Sequence, residues 1–393
     1  MQLSFSNASP APDLDTPEER RALIALSLVS GVGPERLRAL IAAFETPTAV
    51  MSASLTALKR VNGIGTQTAQ AVRAFDDYAT VDGQLERADE LGATLITPWA
   101  SDFPERLRQI YDPPVFLWMR GDLATADARA IAIVGTRRCT DYGRIQANHF
   151  ARELVQHGFT IVSGLAYGVD AAAHQGALDA GGRTLAVLGS GVGRIYPQKH
   201  TRLAERAAAN GAVLSEHTLD AEPDASNFPE RNRIVSGLTL GTLVVESHEK
   251  GGALITARMA VEQNREVFAL PGAVGKSSSV GTNHLIQRGH AKLVLEVEDI
   301  LEELPVAAHP PSVSESSAET DDTAPSAPSR PDPAESLDGD ARVLYEALST
   351  TPVHIDRLCV ETGIAPSAAL TALLELEFSG LVRQLAGKQF CRT

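Results

Sequence analysis

The chain has 393 residues, of which 44% are hydrophobic and 21% charged, and its formal net charge is −14. These values are typical of a globular protein of two or three domains. No uncharged apolar run reaches the roughly 18 residues of a membrane-spanning helix, and the N-terminus lacks the regions of a secretory signal. The three cysteines form neither a CxxC site nor a paired framework, which favours a cytoplasmic protein with no membrane partner.

Residues 1–16 are expected to be disordered, and residues 17–100 form a predicted helical domain. Two stretches of it, 27–45 and 58–75, resemble each other in having apolar residues, a Gly-x-Gly turn and then an amphipathic run. This is the pattern of a helix-hairpin-helix, and the free N–H groups that begin the second helix can hold a DNA phosphate. The alternative is a helical hairpin that only packs. The turn glycines are Gly31, Gly33, Gly63 and Gly65.

Residues 101–304 form the predicted central domain. Between about 130 and 297, seven short runs rich in Val, Ile and Leu alternate with helical stretches. Apolar runs without internal alternation indicate parallel strands that are covered on both faces. The sequence therefore predicts an α/β domain with an extended Rossmann-like, doubly wound and mostly parallel sheet.

Ligands of such sheets bind beyond the carboxyl ends of the strands. Several predicted strands run into turns rich in glycine and serine, which allow close backbone approach and supply hydroxyl donors. We expect these turns to form a pocket for phosphate groups. Its candidate residues are Ser163, Gly164, Gly189, Ser190, Gly251, Gly252 and Thr256.

Basic and aromatic residues cluster at the same strand ends. They are Arg137, Arg138, Arg194, Lys199, Arg231, Arg233 and Lys250, with Tyr196 and Phe228 among them. Cations for phosphates and aromatic rings for stacking bases are what a sequence-tolerant single-strand binder needs. The two arginines of the segment NFPERNRIVSG could instead pair with Glu216 or Glu230, since such ion pairs are common.

The sequence carries little sign of enzymatic chemistry. Asp170 and His174 lie four residues apart on a predicted helix, but no nucleophile accompanies them, so we expect an internal hydrogen bond between them. There is no HExxH, P-loop or complete dinucleotide motif, and we therefore expect no metal and no cofactor. The enzymatic alternative is a nucleoside-monophosphate phosphoribohydrolase of the lysine-decarboxylase-like group. Here EKGGALITARMAVE keeps that group's Gly-Gly and a distant Glu262, but not its spacing.

The negative charge is concentrated in one part of the chain. Residues 301–340 contain ten acidic residues and one arginine, so nine of the fourteen net negative charges belong to this window. Residues 305–337 are rich in Pro, Ala and Ser and lack aromatic residues. Such a composition cannot bury enough apolar surface to offset its ordering entropy, so we predict a disordered acidic linker.

Residues 338–393 form the last predicted domain. Three helical patterns followed by a short two-strand hairpin indicate a winged helix. The proposed recognition helix, 366–378, contains Glu375 and Glu377 and neither lysine nor arginine. Because groove binding normally needs cations, partner binding or dimerisation stays open beside DNA binding.

Several ordered motifs together resemble the DNA-processing protein DprA (Smf) family over roughly residues 20–393. They are GTRR (135–138), SGLAYGVDAAAHQGAL (163–178), TLAVLGSGVGRIYPQKH (184–200), NFPERNRIVSGL (227–238), ESHEKGGALITARMAVEQNREVFALPG (246–272) and GTNHLIQRGHAKLV (281–294). The segment FPERLRQIYDPPVFLWMRGDL (103–123) is similar to the family's entry into its Rossmann-like domain. The family often carries a C-terminal winged helix at the same place.

The resemblance implies a homodimer, formed through the Rossmann-like domain, that binds and protects single-stranded DNA without sequence preference. It implies that the protein loads the RecA recombinase onto this DNA in natural transformation and recombination, also where single-strand-binding protein coats it. No catalytic activity is central to that role. The motifs that carry the DNA contacts of the family match Arg137, Lys199, Phe228, Arg231, Asn232, Arg233, Lys250, Gly251 and Gly252.

Overall fold

The computed structural model describes residues 15–304, 339–349, 353–379, 381–385 and 389–392. The chain divides into two compact units, Met1–Val313 and Ser314–Thr393. The disorder predicted for 1–16 and 305–337 falls outside the described residues, apart from Asp15 and Thr16. Thr16 accepts a hydrogen bond from the backbone N–H of Glu19 and so caps the first helix.

Between residues 15 and 92, where the structure describes the chain, six helices form the N-terminal part of the first unit. They are α1 (Pro17–Leu28), α2 (Pro34–Phe44), α3 (Pro47–Ser52), α4 (Leu55–Leu58), α5 (Thr66–Ala74) and α6 (Tyr78–Leu91). The two predicted hairpins lie between α1 and α2 and between α4 and α5, which confirms the helix-hairpin-helix prediction. Gly31 and Gly63 have φ values of +81° and +80°, in the left-handed region that favours glycine. Each hairpin therefore depends on its first glycine to reverse the chain.

Nine strands form one sheet in the same unit. They are β1 (Ala93–Ile96), β2 (Leu117–Gly121), β3 (Ala130–Val134), β4 (Thr160–Ser163), β5 (Thr184–Val187), β6 (Gly211–Ser215), β7 (Gly241–Val244), β8 (Glu266–Ala269) and β9 (Lys292–Leu293). Their order is β1-β2-β6-β5-β4-β3-β7-β8-β9. The seven predicted runs form the parallel part, β3 to β9. The sequence reasoning did not identify β1 and β2, which pair antiparallel with each other and, through β2, with β6.

Helices cover both faces of the sheet. They are α7 (Glu105–Arg108), α8 (Asp141–Gln156), α9 (Val169–Asp179), α10 (Thr201–Ala209), α11 (Asn227–Gly237), α12 (Ala253–Glu262), α13 (Val280–Gln287) and α14 (Glu298–Leu301), with short 3-10 helices at Thr125–Ala128 and Gln198–His200. In β3, Ile131 and Ile133 enter one apolar cluster with α8 and α9, and Ala132 enters the cluster of α11 and α12. Both faces of β3 are thus buried, as the unbroken apolar run AIAIV predicts.

The strand order reverses beside β3. The chain proceeds from β3 outward through β4, β5 and β6, and then returns to place β7 on the other side of β3. At such a reversal the connections leave in opposite directions, and a crevice opens beyond the carboxyl ends of the two strands. The fold therefore places a crevice at the ends of β3 and β7.

Among its described residues, the second unit contains three helices and a small antiparallel sheet. Its elements are α15 (Gly339–Ala347), β10 (Val353–His354), α16 (Ile355–Thr362), α17 (Pro366–Phe378), β11 (Val382–Leu385) and β12 (Gln389–Arg392). Leu344, Leu358, Leu373 and Phe390 lie in one buried cluster. The winged-helix prediction is confirmed, and β10, which pairs with β12, adds a strand to the predicted hairpin.

Candidate nucleic-acid interface

A cleft of about 860 Å³ opens at the carboxyl ends of β3 and β7. Four parts of the chain supply most of its wall: the turns after β3 and β4, the first half of α11 and the start of α12. Their lining residues include Gly135, Thr136, Arg137, Arg138, Gly164, Ala166, Phe228, Arg231, Asn232, Gly251, Gly252, Ile255 and Thr256. The reversal of strand order thus brings together segments that are far apart in the sequence.

Cationic and aromatic side chains meet at one side of this cleft. The guanidinium carbon of Arg137 lies 5.0 Å from the ring centroid of Phe228. The ring centroids of Phe228 and Tyr196 are 5.7 Å apart, and Tyr196 is 42% exposed. Arg137 is exposed in the turn after β3. The cleft therefore presents a cation and aromatic surface side by side, as the sequence predicts.

Arg231 lies in the floor of the cleft and is 4% exposed. It donates a hydrogen bond to the carbonyl oxygen of Val187, and its guanidinium occupies the space that a Cβ at Gly164 would need. Burial lowers the pKa of Arg231 to about 10, while the nearby Asp170 favours its charged form. Arg231 therefore keeps its positive charge at neutral pH and contributes it to the cleft from below.

Asp170 and His174 do not form the hydrogen bond that we expected, and that prediction is wrong. The carboxylate of Asp170 accepts hydrogen bonds from the backbone N–H groups of Gly164 (3.2 Å) and Ala166 (3.3 Å). His174 instead lies 2.7 Å from the hydroxyl of Thr184 through Nδ1. Burial raises the pKa of Asp170 and lowers that of His174 to about 3. Asp170 thus joins α9 to the turn after β4, and His174 joins α9 to β5.

The start of α12 supplies backbone donors to the cleft. Gly252 is the N-cap residue of this ten-residue helix and makes no side-chain capping hydrogen bond. The N–H groups of Leu254 and Ile255 donate to the carbonyls of Gly251 and Gly252, which leaves the N–H groups of Gly252 and Ala253, two lining residues, without an acceptor among the described residues. Thr256 lines the same wall and is buried. Lys250 is exposed in the preceding turn, and its side chain lies outside the lining of the cleft.

Three other predicted residues support the cleft from behind. The hydroxyl of Ser163 donates to the carbonyl of Ile133, and that of Ser190 donates to the carbonyl of Arg194. Gly189 packs against Phe228, since a Cβ there would lie 2.9 Å from the ring. These residues hold the strand ends and the Phe228 ring in place.

Besides Lys250, three predicted cations lie outside the cleft, namely Arg194, Arg233 and Lys199. Arg194 is exposed and pairs with Glu222. Arg233 is buried and forms ion pairs with Glu216 (2.6 Å) and Asp112 (3.0 Å), so the alternative of a pair with Glu216 is confirmed for this arginine. Lys199 lies on the 3-10 helix after Pro197 and lines a neighbouring depression. The sequence reasoning missed Tyr167, an exposed ring beside Arg137 in a small depression; its position in the Gly-rich turn LAYG was the available signal.

The two helical hairpins differ in their surroundings. Gly33, in the first, lines a depression in which acidic and basic side chains are equal in number, namely Glu35, Asp112, Glu230, Arg36, Arg38 and Arg233. Arg38 of α2 donates to the carbonyl of Pro113 (3.1 Å). The turn of the second hairpin, 63–65, has exposed glycines and follows the exposed Lys59 and Arg60. The second hairpin therefore has the more favourable charge for a phosphate.

The features of an enzyme or a metal site are sparse in the described part of the chain. Asp170 is the one acidic residue among the described residues that line the cleft. Glu262 is exposed at the last residue of α12, whose opposite end forms the wall. Within the described ranges no three His, Cys, Asp or Glu side chains cluster as metal ligands, and no helix is long and apolar enough to span a membrane.

Fold and cleft together define a Rossmann-like α/β protein that carries helix-hairpin-helix and winged-helix domains. Three family profiles match the chain: "DNA recombination-mediator protein A" over residues 94–305, "DprA winged helix domain" over 328–388 and "SAM-like Helix-hairpin-helix tandem" over 23–75. The first of these spans more than half of the chain.

Individual relatives agree with these profiles. Protein Smf of Synechocystis sp. is 34% identical over 394 residues, which cover 95% of this chain and 99% of the relative. Protein Smf of Escherichia coli is 40% identical over 327 residues, which cover 83% of this chain and 84% of the relative. The X-ray structure of DNA processing protein A from Streptococcus pneumoniae is 32% identical, with a TM-score of 0.66 over 73% of this chain and 99% of that one. The chain belongs to the DNA recombination-mediator protein A family, which includes the proteins named DprA and Smf.

Proposed function

We propose that this protein binds single-stranded DNA in the cleft at the ends of β3 and β7. The observation that carries the proposal is the guanidinium of Arg137, 5.0 Å from the ring of Phe228 in that cleft. A ring stacks on any base, and a cation beside it neutralises the adjoining phosphate, so the combination binds a strand without reading its sequence. Membership of a family of DNA processing proteins supports the same assignment.

Backbone groups complete the proposed site. The N–H groups of Gly252 and Ala253, at the start of α12, belong to the same cleft as Arg137 and can receive a second phosphate, because a helix N-terminus favours negative charge. The buried Arg231 adds positive potential below them. Asp170 accepts hydrogen bonds from two backbone N–H groups and lies close to the charge of Arg231, so we assign it a structural role in the floor of the cleft. We therefore propose a binding protein and no catalytic residue.

The wider role follows from the family. We propose that the protein protects incoming single-stranded DNA and loads the RecA recombinase onto it in natural transformation, also where single-strand-binding protein is present. We further propose a homodimer formed through the Rossmann-like domain. In support of the dimer, β9 is an end strand of the large sheet. Leu293, its last residue, is 41% exposed, and Leu295, two residues later, is 71% exposed. An end strand with exposed apolar side chains is suited to pairing with another chain.

Substitution of the cation and of the ring tests the site. We expect Arg137→Ala to weaken binding to oligo(dT) and to reduce the slope of log affinity against log salt by about 0.7, because one phosphate contact is lost. We expect Phe228→Ala to cost about 1–3 kcal/mol with an unchanged salt slope, because stacking releases no counterion. Fluorescence anisotropy titrations at several salt concentrations measure both quantities.

Arg258→Ala is the matched control, since Arg258 is an exposed arginine on α12 that lines none of the depressions described here. It should bind as the unmodified protein does. Undiminished binding by both Arg137→Ala and Phe228→Ala would contradict the proposed site.

A further inference from the structure

A second depression, of about 970 Å³, lies beside the cleft, between α8, α9 and the segment 199–206. Its lining contains five cations, which are Arg144, Arg152, Lys199, Arg202 and Arg206, and no acidic residue among those described. We call it the basic depression. Five like charges around one concavity repel one another, and in a folded protein such an arrangement favours an anionic ligand.

Part of this charge is neutralised within the protein. Arg144 pairs with Asp141, and Arg206 pairs with Asp179 (3.0 Å). Hydrogen bonds from Gln175 and Arg206, together with the charge of Arg152, hold the pKa of Asp179 below its ordinary value. Arg152, Lys199 and Arg202 are exposed and form no ion pair with any residue that the structure describes. At least three positive charges are therefore available to a ligand.

The basic depression continues from the cleft. Tyr196 and Pro197 line the small depression next to Arg137 and Phe228, and Lys199 follows two residues later in the wall of the basic depression. A second aromatic pair crosses the same border, because the rings of Tyr167 and His200 lie 5.0 Å apart and His200 lines the basic depression. The pairs Phe228–Tyr196 and Tyr167–His200 thus lie along the border between the cleft and the basic depression.

Apolar surface accompanies the cations. Ile145 is 62% exposed in the wall of the basic depression, and Leu203 lies half-buried in the same wall. Exposed apolar side chains among cations suit a ligand that has both phosphates and flat apolar faces. A small free anion would use the cations alone.

We infer that the basic depression binds a further stretch of the same DNA strand. The strand leaves the cleft over Tyr196 and Tyr167, passes Lys199, and places later phosphates against Arg152 and Arg202. This inference rests on the proposed single-stranded DNA site and extends its footprint across α8 and α10.

Oligonucleotide length separates the two sites. An oligo(dT) of about six nucleotides can fill the cleft alone, whereas one of about twenty is long enough to reach the basic depression as well. We expect the full-length double variant Arg152→Ala/Arg202→Ala to bind the short strand normally. Its affinity for the long strand should fall about tenfold, and the salt slope for that strand should decrease by about 1.4, since two phosphate contacts are lost.

Three comparisons make the result decisive. Arg258→Ala should bind both strands as the unmodified protein does, and unchanged thermal melting of the double variant shows that it is folded. Arg137→Ala should weaken both strands, and its failure to do so would contradict the proposed function itself. Equal affinity of the double variant and the unmodified protein for the long strand would overturn the extended footprint. The extended footprint would also be overturned if the double variant changed only the self-association of the protein. The basic depression would then be a contact between protein chains.

Discussion

Arg231 and Gly164 illustrate how the floor of the cleft is built. Burying a guanidinium is costly unless other groups compensate its charge. Here a backbone carbonyl accepts from it, and Asp170 lies close enough to favour its charged form. The missing side chain of Gly164 leaves the space that the guanidinium fills. A charge held in this way adds to the potential of the cleft while the exposed Arg137 is free to contact the ligand.

His174 makes the stability of the protein depend on pH. Burial lowers its pKa from 6.5 to about 3, and its Nε2 atom is buried without a hydrogen-bond partner among the described residues. Between these two values the unfolded chain binds a proton that the folded chain does not. The free energy of unfolding therefore rises with pH between about pH 3 and 6.5, and it decreases when the solution is acidified.

We expect His174 to lower the free energy of unfolding by roughly 2 kcal/mol when the pH falls from about 7 to 5. His174→Asn should remove this part of the pH dependence, since an asparagine amide can still donate to Thr184 and does not titrate. Urea unfolding at the two pH values measures the difference, which is independent of any constant loss caused by the smaller side chain. A pH dependence equal to that of the unmodified protein would show that His174 is not its source.

At the scale of elements, one carboxylate joins β7 to the start of α8. Glu246 is 2% exposed, and it accepts hydrogen bonds from the backbone N–H (2.9 Å) and the hydroxyl (2.7 Å) of Thr140. Thr140 in turn caps α8 by accepting from the N–H of Gly143 (3.2 Å). The turn that carries Arg137 lies between β3 and this anchored helix, so Glu246 limits its movement.

We expect Glu246→Gln to lower the free energy of unfolding by about 2 kcal/mol, because an amide replaces a charged acceptor and turns an N–H group towards Thr140. Binding to oligo(dT) should weaken as well, since the Arg137 turn loses its support. Urea unfolding and anisotropy titrations measure the two effects. The control is Glu249→Gln, at an exposed position in the turn after β7 that also contains Glu246. It should change neither the stability nor the affinity.

The whole molecule contains separate cores. Three apolar clusters lie within residues 23–304, and a fourth is built from residues 341–390 alone. The sheet, the cleft and the basic depression belong to the first unit. Because apolar burial is the main stabilising term, each unit has what it needs to fold without the other.

A chain that ends at residue 304 should therefore melt within about 2 °C of the first unit in the full-length protein and bind oligo(dT) with the same affinity. This shorter chain keeps only residues 301–304 of the acidic window, so any increase in affinity at low salt would measure the repulsion that the removed residues exert on DNA. Calorimetry and anisotropy test the two expectations. A lower melting temperature, or weaker binding at all salt concentrations, would show that the first unit depends on the second.

The overall charge has different meanings at different scales. The total of −14 by itself argues against a nucleic-acid partner, but most of it lies in residues 301–340. The cleft and the basic depression carry cations instead, and the potential that a ligand meets depends on the charges near it. Charge distribution along the sequence indicated this contrast, and the fold placed the cations in the cleft and in the basic depression.

The sequence by itself determined the seven parallel strands, the two hairpins, the winged helix and the cluster of Arg137 with Phe228. Apolar runs, turn glycines and the order of strands and helices express local preferences and burial on both faces, which residue types report directly. Only the tertiary structure decided that Arg233 forms ion pairs within the protein, that His174 contacts Thr184, and that Lys199 belongs to a second depression. These outcomes depend on which side chains the tertiary fold brings into contact, and sequence spacing carries no measure of such distances.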